Sequence, residues 1–434
     1  MSESPRTSRR VAVDPTIVRH ARRRGRGPLL AVFRFVAAAL AVVLVSGTAV
    51  AAYALFDVAA SVKPAVTLAG QDGSSPNIDA IEGGVNLLLV GSDSRQGQGD
   101  AYGDPDVETG NLNDVTMLLH ISEDHSSATV VSFPRDMFVP IPACPKEDGS
   151  GSYPEMSSQK INSTLSYGGL ACTVLTVEAL TGLDVPFAAE VQFNGVIALS
   201  NAVGGVEVCV AEPIADPYTG TYLDAGTHSL QGSDALQFLR TRHGVGDGSD
   251  LGRISNQQVF LSSLVRTLQS SETLSDPSKL FGIAKAAASN MQLSSSLANL
   301  NTMVSIAMAM KDIPLEKIAF VQYPNAYVSS GGQQGVLPLT DAATQLFDAI
   351  KADKAITLTG TTGVGSVADP NAPGGTETTS PPAAEESDSG DTSPATTPPA
   401  TADGGDATDD GSVALPSEVE GQTAGDYTCS KGNN

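Results

Sequence analysis

The chain has 434 residues, a formal net charge of −23, 5% aromatic residues and no tryptophan. The charge is unevenly divided, because the first 34 residues hold nine arginines against Glu3 and Asp14, which leaves −30 on the other 400. Such an acidic surface excludes nucleic acid as a partner of the larger part, since phosphate binding needs a basic face. The scarcity of aromatic side chains also argues against a stacking platform for carbohydrate or single-stranded nucleic acid.

The segment Phe35–Phe56 contains no charged residue over 22 positions, close to the roughly 20 residues that a transmembrane helix needs. The preceding basic residues mark the cytoplasmic side. We therefore predict a cytoplasmic tail over 1–34, which meets anionic lipid headgroups, a single transmembrane helix over 35–56 and an extracellular remainder. The alternative is a cleaved signal peptide, although the apolar stretch exceeds a typical signal-peptide core.

After a linker over 57–84, the folded domain is predicted to begin at Val85 and to extend to residue 356. Three apolar runs, at Val85–Val90, Val115–Ile121 and Ala128–Phe133, predict neighbouring buried strands. Two of these runs lead directly into charged residues, the first in Gly-Ser-Asp-Ser-Arg and the third in Pro-Arg-Asp. The pattern is typical of strands whose ends carry ligand-binding side chains.

Asp93 follows the first predicted strand and Asp114 precedes the second. An antiparallel arrangement would bring the two carboxylates together, and such a pair suits Mg²⁺, which completes its shell with water and substrate phosphates. Arg95 and Arg135 are predicted on the same rim of the sheet. The alternatives are a turn or helix cap for the aspartates and a surface ion-pair network for the arginines.

Further elements mix strands and helices without a strict βαβ repeat. The predicted strands are Ala188–Phe193, Val206–Val210 and Lys317–Gln322, and the predicted helices are Thr173–Leu180, Gly195–Val203, Ser233–Leu239, Ile254–Leu268, Leu297–Met310 and Thr340–Ile350. The sequence therefore predicts an α/β domain with a central mixed sheet flanked by helices.

The four cysteines agree with an oxidising compartment. They allow three pairings, among which the sequence does not choose. Cys144 with Cys172 is the leading pairing, because the loop between them is short.

Arginines are concentrated at residues 236–258. Beyond residue 34 there are only six, and Arg240, Arg242 and Arg253 fall within fourteen residues around a loop rich in glycine and aspartate. Because arginine binds phosphate through two parallel hydrogen bonds, this segment predicts an anionic ligand.

From about Thr357 onward, residues 357–434 are predicted to form a disordered acidic tail. The segment Thr361–Asp410 consists mainly of Thr, Pro, Gly, Ser, Ala and acidic residues, which bury too little apolar surface to offset the entropy of ordering. A glycosylated stalk is the alternative. The final residues hold Cys429, through which they return to the domain if it forms a disulfide.

Several segments, in this order, resemble the LytR-CpsA-Psr (LCP) family of cell-wall ligases in its actinobacterial form. They are Asn86–Arg95, Asn113–Ile121, Val131–Asp136, Lys160–Gly169, Val203–Val206 and the block at 236–258. The resemblance implies a membrane-anchored, Mg²⁺-dependent phosphotransferase on the outer side of the membrane. It would move a glycopolymer such as teichoic acid, capsule or arabinogalactan from a polyprenyl-pyrophosphate carrier to peptidoglycan through a phosphodiester.

The resemblance also implies roles for individual residues. Asp93 and Asp114 would hold Mg²⁺, or Mn²⁺ in its place, and Arg240, Arg242 and Asp114 would act in catalysis. The pyrophosphate would be bound by Arg95, Arg135, Arg240, Arg242, Arg253 and Gln257. The base is not evident, and Asp114, Asp247 and Asp250 are the candidates. Positioning and charge neutralisation by such groups are what phosphoryl transfer requires.

One departure from the family is Leu112, which stands where members often carry an arginine. Two other functions stay open: a polyprenyl-pyrophosphate pyrophosphatase or phosphodiesterase, which would pass the phosphoryl group to water, and a non-catalytic membrane protein that binds wall polymer. The sequence does not identify the glycopolymer, the oligomeric state or the role of the tail.

Overall fold

The computed structural model describes residues 32–42, 45–46, 64–68, 84–99, 102, 109–146, 148–269, 277–330, 333–372 and 411–433. Residues 1–59 and 60–434 form two separate units, and the first is described as exposed helical residues at 32–42 and 45–46. Among the described residues, no helix combines the length and apolar character needed to cross a bilayer. The rest of the predicted anchor, residues 1–31 of the basic tail and most of the predicted linker lie outside the described residues.

The second unit is built around a seven-stranded mixed sheet with the order β13-β8-β1-β2-β3-β14-β20. Its strands are β1 (Val85–Ser92), β2 (Asn113–Ile121), β3 (Ala128–Phe133), β8 (Phe187–Val191), β13 (Met291–Leu293), β14 (Ile318–Gln322) and β20 (Gly421–Thr423). β1 pairs with β8, and β3 with β14, in parallel, while the other neighbours are antiparallel. The predicted antiparallel pairing of the first two strands is confirmed.

Seven helices are described in this unit. They are α1 (Thr164–Thr181), α2 (Phe193–Val203), α3 (Ser233–Arg240), α4 (Asp250–Gln269), α5 (Pro277–Asn290), α6 (Leu300–Ala309) and α7 (Thr340–Lys351). The largest core joins Leu88 and Val90 of β1 to α1 and α7. A second core lies on the other side of the sheet, where Leu87 and Leu89 point toward α5 and α6. The predicted helix-flanked mixed sheet is therefore confirmed, with successive β1 residues alternating between two cores.

Smaller sheets surround the central one. A four-stranded sheet has the order β12-β9-β21-β18, and the two-stranded pairs are β4–β7, β5–β6, β10–β11, β15–β16 and β17–β19. Their strands are β4 (Phe138–Ile141), β5 (Cys144–Pro145), β6 (Ser152–Tyr153), β7 (Met156–Lys160), β9 (Val206–Val210), β10 (Ile214–Asp216), β11 (Thr221–Leu223), β12 (Gly226–Leu230), β15 (Asn325–Ser330), β16 (Gln333–Pro338), β17 (Ile356–Thr357), β18 (Ser366–Ala368), β19 (Val413–Ala414) and β21 (Thr428–Ser430).

The end of the chain differs from the predicted disordered tail over 357–434. Residues 411–433 return to the domain, where β20 becomes an edge strand of the central sheet and β21 pairs with both β9 and β18. Backbone pairing and burial stabilise these short strands, of which Thr428, Cys429 and Ser430 are all buried. The prediction is therefore wrong for 357–372 and 411–433, and residues 373–410 lie outside the described residues.

Two disulfides link Cys144 to Cys172 and Cys209 to Cys429. The first joins β5 to α1, as the leading pairing predicted. The second ties β21 to β9 across a sequence separation of 220 residues. The expectation that the last residues return to the domain through Cys429 is confirmed.

Candidate functional site

Asp93 and Asp114 lie at the edge of the sheet where β1 ends and β2 begins. The strand register shifts between Gly91 and Ser92, and Ser92 then pairs with Asn113. Beyond this pair, the Leu112 backbone N–H donates to Oδ1 of Asp93 at 2.7 Å, and the Asp93 N–H donates to the Leu112 carbonyl at 3.0 Å. The two aspartates thus flank one strand pair. Leu112 contributes its backbone here through both of these hydrogen bonds.

The electrostatics of this pair suit a divalent cation. Burial raises the pKa of Asp93 above its usual value, and repulsion by Asp114 adds to the increase against the Leu112 hydrogen bond. Two neighbouring carboxylates that repel one another are stabilised by a cation between them. Hard carboxylate oxygens are also the protein ligands of Mg²⁺, which keeps several coordination positions for water or phosphate. The residues present therefore fit the predicted metal.

Arg135 and Arg253 surround Asp114 with positive charge. Arg135 Nη1 donates to Asp114 Oδ1, and Arg253 Nη2 donates to the Asp114 carbonyl at 2.7 Å. Arg253 Nη2 also lies 2.6 Å from Asp250 Oδ1, one turn earlier on α4. Burial alone would lower the pKa of Arg135, but the charges of Asp114, Asp136 and Asp250 outweigh it and raise that pKa.

Arg240 is the last residue of α3 and packs against an aromatic ring. Its guanidinium carbon lies 4.3 Å from the ring centre of Phe193, and no carboxylate of the described residues lies within ion-pair distance of it. Burial lowers the pKa of Arg240, and repulsion by Arg95 and Arg253 adds to the decrease against attraction by Asp114. Because Arg95 and Arg253 also act on it, a bound anion would stabilise the charge of Arg240.

Asp114, Arg240 and Arg253 lie at one side of an apolar cleft that is open to solvent and has a volume of about 130 Å³, called here the first cleft. Its lining residues are Leu89, Gly91, Ser92, Asp114, Val115, Met117, Val191, Gln192, Phe193, Val196, Leu236, Leu239, Arg240, Arg253, Gln257 and Leu261. The amide of Gln257 donates to the Leu239 carbonyl at 3.0 Å, which fixes this buried side chain in the wall. An apolar cleft with a charged rim suits an amphipathic molecule that has an anionic group.

Two predicted residues lie elsewhere. Arg242 does not line the first cleft but a neighbouring second cleft, which also contains Asp136, Lys160 and Tyr327. Asp247 is exposed, and its carboxylate accepts the Ser249 N–H at 2.9 Å as part of the loop. The structure thus brings together Asp93, Asp114, Arg95, Arg135, Arg240, Arg253 and Gln257, while Arg242 faces another way.

Phe193 and Tyr102 also lie in this region, although no sequence motif predicted them there. The ring centres of the two residues lie 4.9 Å apart, and Tyr102 donates a hydrogen bond to the Asn194 side chain at 3.0 Å. Neither residue lies in a charged motif. Their role follows from the packing of α2 beside α3, which no local pattern reveals.

The LytR_cpsA_psr family model matches residues 53–352 of this chain. The cell wall biosynthesis protein LcpA of Corynebacterium glutamicum is 30% identical over 357 residues, which cover 77% of this chain and 67% of LcpA. The polyisoprenyl-teichoic acid-peptidoglycan teichoic acid transferase TagT of Bacillus subtilis is 28% identical over 257 residues, covering 57% of this chain and 73% of TagT.

Among solved structures, the protein gbs0355 of Streptococcus agalactiae matches with a TM-score of 0.50 and 22% identity. The match covers 62% of this chain and 87% of gbs0355. It supports the same fold for the two proteins.

Proposed function

The chain belongs to the LytR_cpsA_psr family, and from that membership we propose that it is a phosphotransferase of cell-wall biogenesis. It moves a glycopolymer from a polyprenyl-pyrophosphate carrier to peptidoglycan and leaves a phosphodiester between them. Two relatives support this reaction class, one named as a cell wall biosynthesis protein and the other as a teichoic acid transferase.

The observation that carries the proposal is the position of Arg240 between an apolar cleft and a cationic rim. A polyprenyl pyrophosphate combines an apolar tail with an anionic group, and the first cleft offers the matching surfaces side by side. Arg240 and Arg253 neutralise phosphate oxygens in a region that is largely withdrawn from water, where charge stabilisation is strong.

In the transfer, an acceptor hydroxyl oxygen forms a bond to the glycan-bearing phosphorus, and the P–O bond to the bridging oxygen breaks. The bridging oxygen departs with polyprenyl phosphate, and the hydroxyl proton passes to a carboxylate of the site. Asp93 and Asp114 would hold Mg²⁺, which supplies positive charge for the pyrophosphate oxygens when bound. The arginines orient the phosphoryl group and disperse its charge, as this reaction class requires.

The membrane is the natural location for such a substrate. We place the anchor at Phe35–Phe56, with the N-terminus in the cytoplasm and the catalytic domain outside, because this uncharged run follows a strongly basic segment. An anchored domain stays close to the bilayer from which a polyprenyl carrier presents its headgroup.

The test uses the full chain in detergent with Mg²⁺, a short polyprenyl-pyrophosphate glycan and soluble peptidoglycan fragments. Mass spectrometry should detect a glycan joined through phosphate to the fragment. Asp93→Asn and Arg240→Gln should each lower the transfer rate by about 100-fold or more, the usual effect of removing one charge-stabilising group. Chelation of the metal should have a similar effect.

Asp341→Asn and Lys351→Gln are the matched controls, because both side chains lie exposed on α7, outside the first cleft. They should transfer at the wild-type rate. Release of glycan phosphate to water without any joined product would favour the pyrophosphatase alternative. Binding of the lipid without either product would favour a wall-polymer-binding protein.

A further inference from the structure

The second cleft lies beside the first and has a different chemical character. It is open to solvent, offers about 520 Å³ to a ligand, and is lined by Pro134, Asp136, Lys160, Arg242, Ser249, Asp250, Leu251, Tyr327, Val328, Gln334, Gly335 and Val336. Charged and hydrogen-bonding side chains dominate this lining, whereas aliphatic side chains dominate the first cleft. A polar molecule is therefore its matching occupant.

Ion pairs connect the residues that line the two clefts, and they are called here the ion-pair layer. Arg135 spans this layer, because its Nη1 donates to Asp114 in the first cleft and its Nε lies 3.4 Å from Asp136 Oδ2 in the second. Arg253 of the first cleft likewise lies 2.6 Å from Asp250 of the second. Groups bound in the two clefts would therefore meet across Arg135.

The direction of phosphoryl transfer gives the second cleft a role. Attacking and leaving oxygens lie roughly in line with the transferred phosphorus. If the polyprenyl phosphate leaves toward the apolar first cleft, the nucleophile must arrive from the other side of the ion-pair layer. Resting on the proposed function, we propose that the second cleft binds the acceptor, a glycan strand that carries carboxylates, as peptidoglycan does.

The side chains of the second cleft have the chemistry that such a glycan needs. The Tyr327 side chain is 64% exposed and offers a ring face for one sugar. Ser249, Gln334 and Asp136 offer donors and acceptors for hydroxyl and amide groups. This is a single ring within a polar cleft, which differs from the extended stacking platform that the composition argues against.

The preference for a carboxylate rests on Arg242. Its Nε donates to the Gly248 carbonyl at 3.1 Å, and among the described residues its guanidinium has no carboxylate within ion-pair distance. The other cation of the cleft, Lys160, is held 2.7 Å from Asp136 Oδ1. Arg242 is thus the group that can form a charge-assisted bond with an acidic ligand.

The outer wall of the cleft is built close to this charged layer. The Val336 N–H donates to the Asp136 carbonyl at 3.2 Å, and a Cβ on Gly335 would lie 2.4 Å from the same carbonyl oxygen. The hairpin of β15 and β16 therefore approaches the loop after β3 at a distance that only glycine permits. This contact holds Tyr327 beside the cleft.

The test is a binding experiment with the full chain in detergent, in the absence of transfer. The probes are a soluble disaccharide-peptide of peptidoglycan and, separately, a short polyprenyl-pyrophosphate glycan, each titrated by calorimetry. Tyr327→Ala should weaken binding of the disaccharide-peptide about tenfold, or about 1.4 kcal/mol, and leave binding of the pyrophosphate lipid unchanged. Arg240→Gln should do the reverse.

Arg242→Gln provides a second, chemical readout. It should weaken binding of the acidic fragment but not of the same fragment with its carboxylates methyl-esterified. Tyr222→Ala is the matched control, since Tyr222 is 66% exposed on β11 and does not line the cleft.

The inference is overturned if the fragment does not bind the wild type at millimolar concentration, or binds Tyr327→Ala equally well. It is also overturned if Tyr327→Ala weakens the pyrophosphate lipid instead, which would assign the cleft to the donor glycan. The proposed function would fail in a different way: the chain would bind both the disaccharide-peptide and the pyrophosphate lipid, but the transfer assay would detect no joined product.

Discussion

Arg240 illustrates how one residue depends on its support. Its guanidinium stacks on Phe193, and burial together with repulsion by Arg95 and Arg253 lowers its pKa against the attraction of Asp114. A cation over an aromatic face gains about 0.5–2 kcal/mol, depending on how far it is removed from water. Phe193 therefore positions Arg240 without needing to contact phosphate itself.

We expect Phe193→Leu to lower kcat/KM for transfer about fivefold, because leucine fills the cleft but lacks the ring face that orients Arg240. The measurement is a steady-state transfer assay, with the thermal midpoint monitored for loss of folding. Tyr222→Leu serves as a control at an exposed ring. An unchanged kcat/KM in a folded Phe193→Leu variant would show that the Phe193 ring does not position Arg240.

Asp136 should contribute stability that depends on pH. Burial alone would raise the pKa of Asp136, but the hydrogen bond from Lys160 and the charge of Arg135 outweigh burial and lower that pKa. Because the folded value lies below the unfolded value of about 3.9, the stabilisation is present above the unfolded value. It is lost as pH falls through the folded one.

We therefore expect Asp136→Asn to lower the free energy of unfolding at pH 7 by about 1 kcal/mol, the upper range for a partly exposed ion pair. The difference from the wild type should shrink as pH falls below about 4. Urea unfolding at several pH values measures this, with Asp224→Asn as the control, because Asp224 is exposed and lies outside any helix. If the difference in unfolding free energy between the wild type and Asp136→Asn grew toward acid pH, the pKa of Asp136 would be raised by folding, contrary to this prediction.

Among the elements, the apolar runs predicted the central strands well. β3 and β9 have the predicted bounds, and β1 extends the predicted run by two residues. The start of α1 was less predictable, because Gly168 and Gly169 interrupt the helical geometry and read in sequence as a break. Strands such as β7 (Met-Ser-Ser-Gln-Lys) and β16 lacked a clear apolar pattern, because each buries few residues and depends largely on pairing to a neighbour.

The candidate site was predictable to a similar extent. Charged residues at strand ends and in the arginine-rich block were identified because they depart from an acidic, apolar background. The sequence did not predict which cleft each arginine would line. Arg240 ends α3, whereas Arg242 lies in the extended segment that follows this helix. Such divergence depends on tertiary packing.

The hairpin of β15 and β16 should depend on Gly335. We expect Gly335→Ala to destabilise the fold by about 1–3 kcal/mol, since the added methyl group overlaps the Asp136 carbonyl and the Phe138 ring. Gly282→Ala is the matched control, because nothing lies within 4 Å of a Cβ there and alanine favours a helix. Chemical unfolding should show that Gly335→Ala is less stable than Gly282→Ala. Equal stabilities of the two variants would contradict the close approach of Gly335 to the Asp136 carbonyl.

At the scale of the whole molecule, the two disulfides close loops of very different length. The separation is 28 residues for Cys144–Cys172 and 220 for Cys209–Cys429. Restricting a longer loop of the unfolded chain removes more entropy. The second bond also holds β21, which the sequence had placed in a disordered tail because low-complexity residues precede it.

We expect loss of Cys209–Cys429, in a Cys209→Ala/Cys429→Ala variant, to cost about 5 kcal/mol, and loss of Cys144–Cys172 about 4 kcal/mol, by the chain-entropy relation. Guanidinium unfolding under non-reducing conditions compares the two double variants. A larger loss from the shorter loop would show that native packing, rather than loop closure, governs their contributions.

The return of residues 411–433 also has a consequence for how the protein is made. The loop that follows Arg242 forms backbone hydrogen bonds with this segment: the Gly246 N–H donates to the Lys431 carbonyl, and the Asn433 N–H donates to the Gly244 carbonyl. Contacts between such distant segments form late. A nascent chain halted before residue 411 would carry every charged residue of the candidate site yet lack the strands that finish it. Biosynthesis itself would thus delay completion of the site until these last strands have been synthesised.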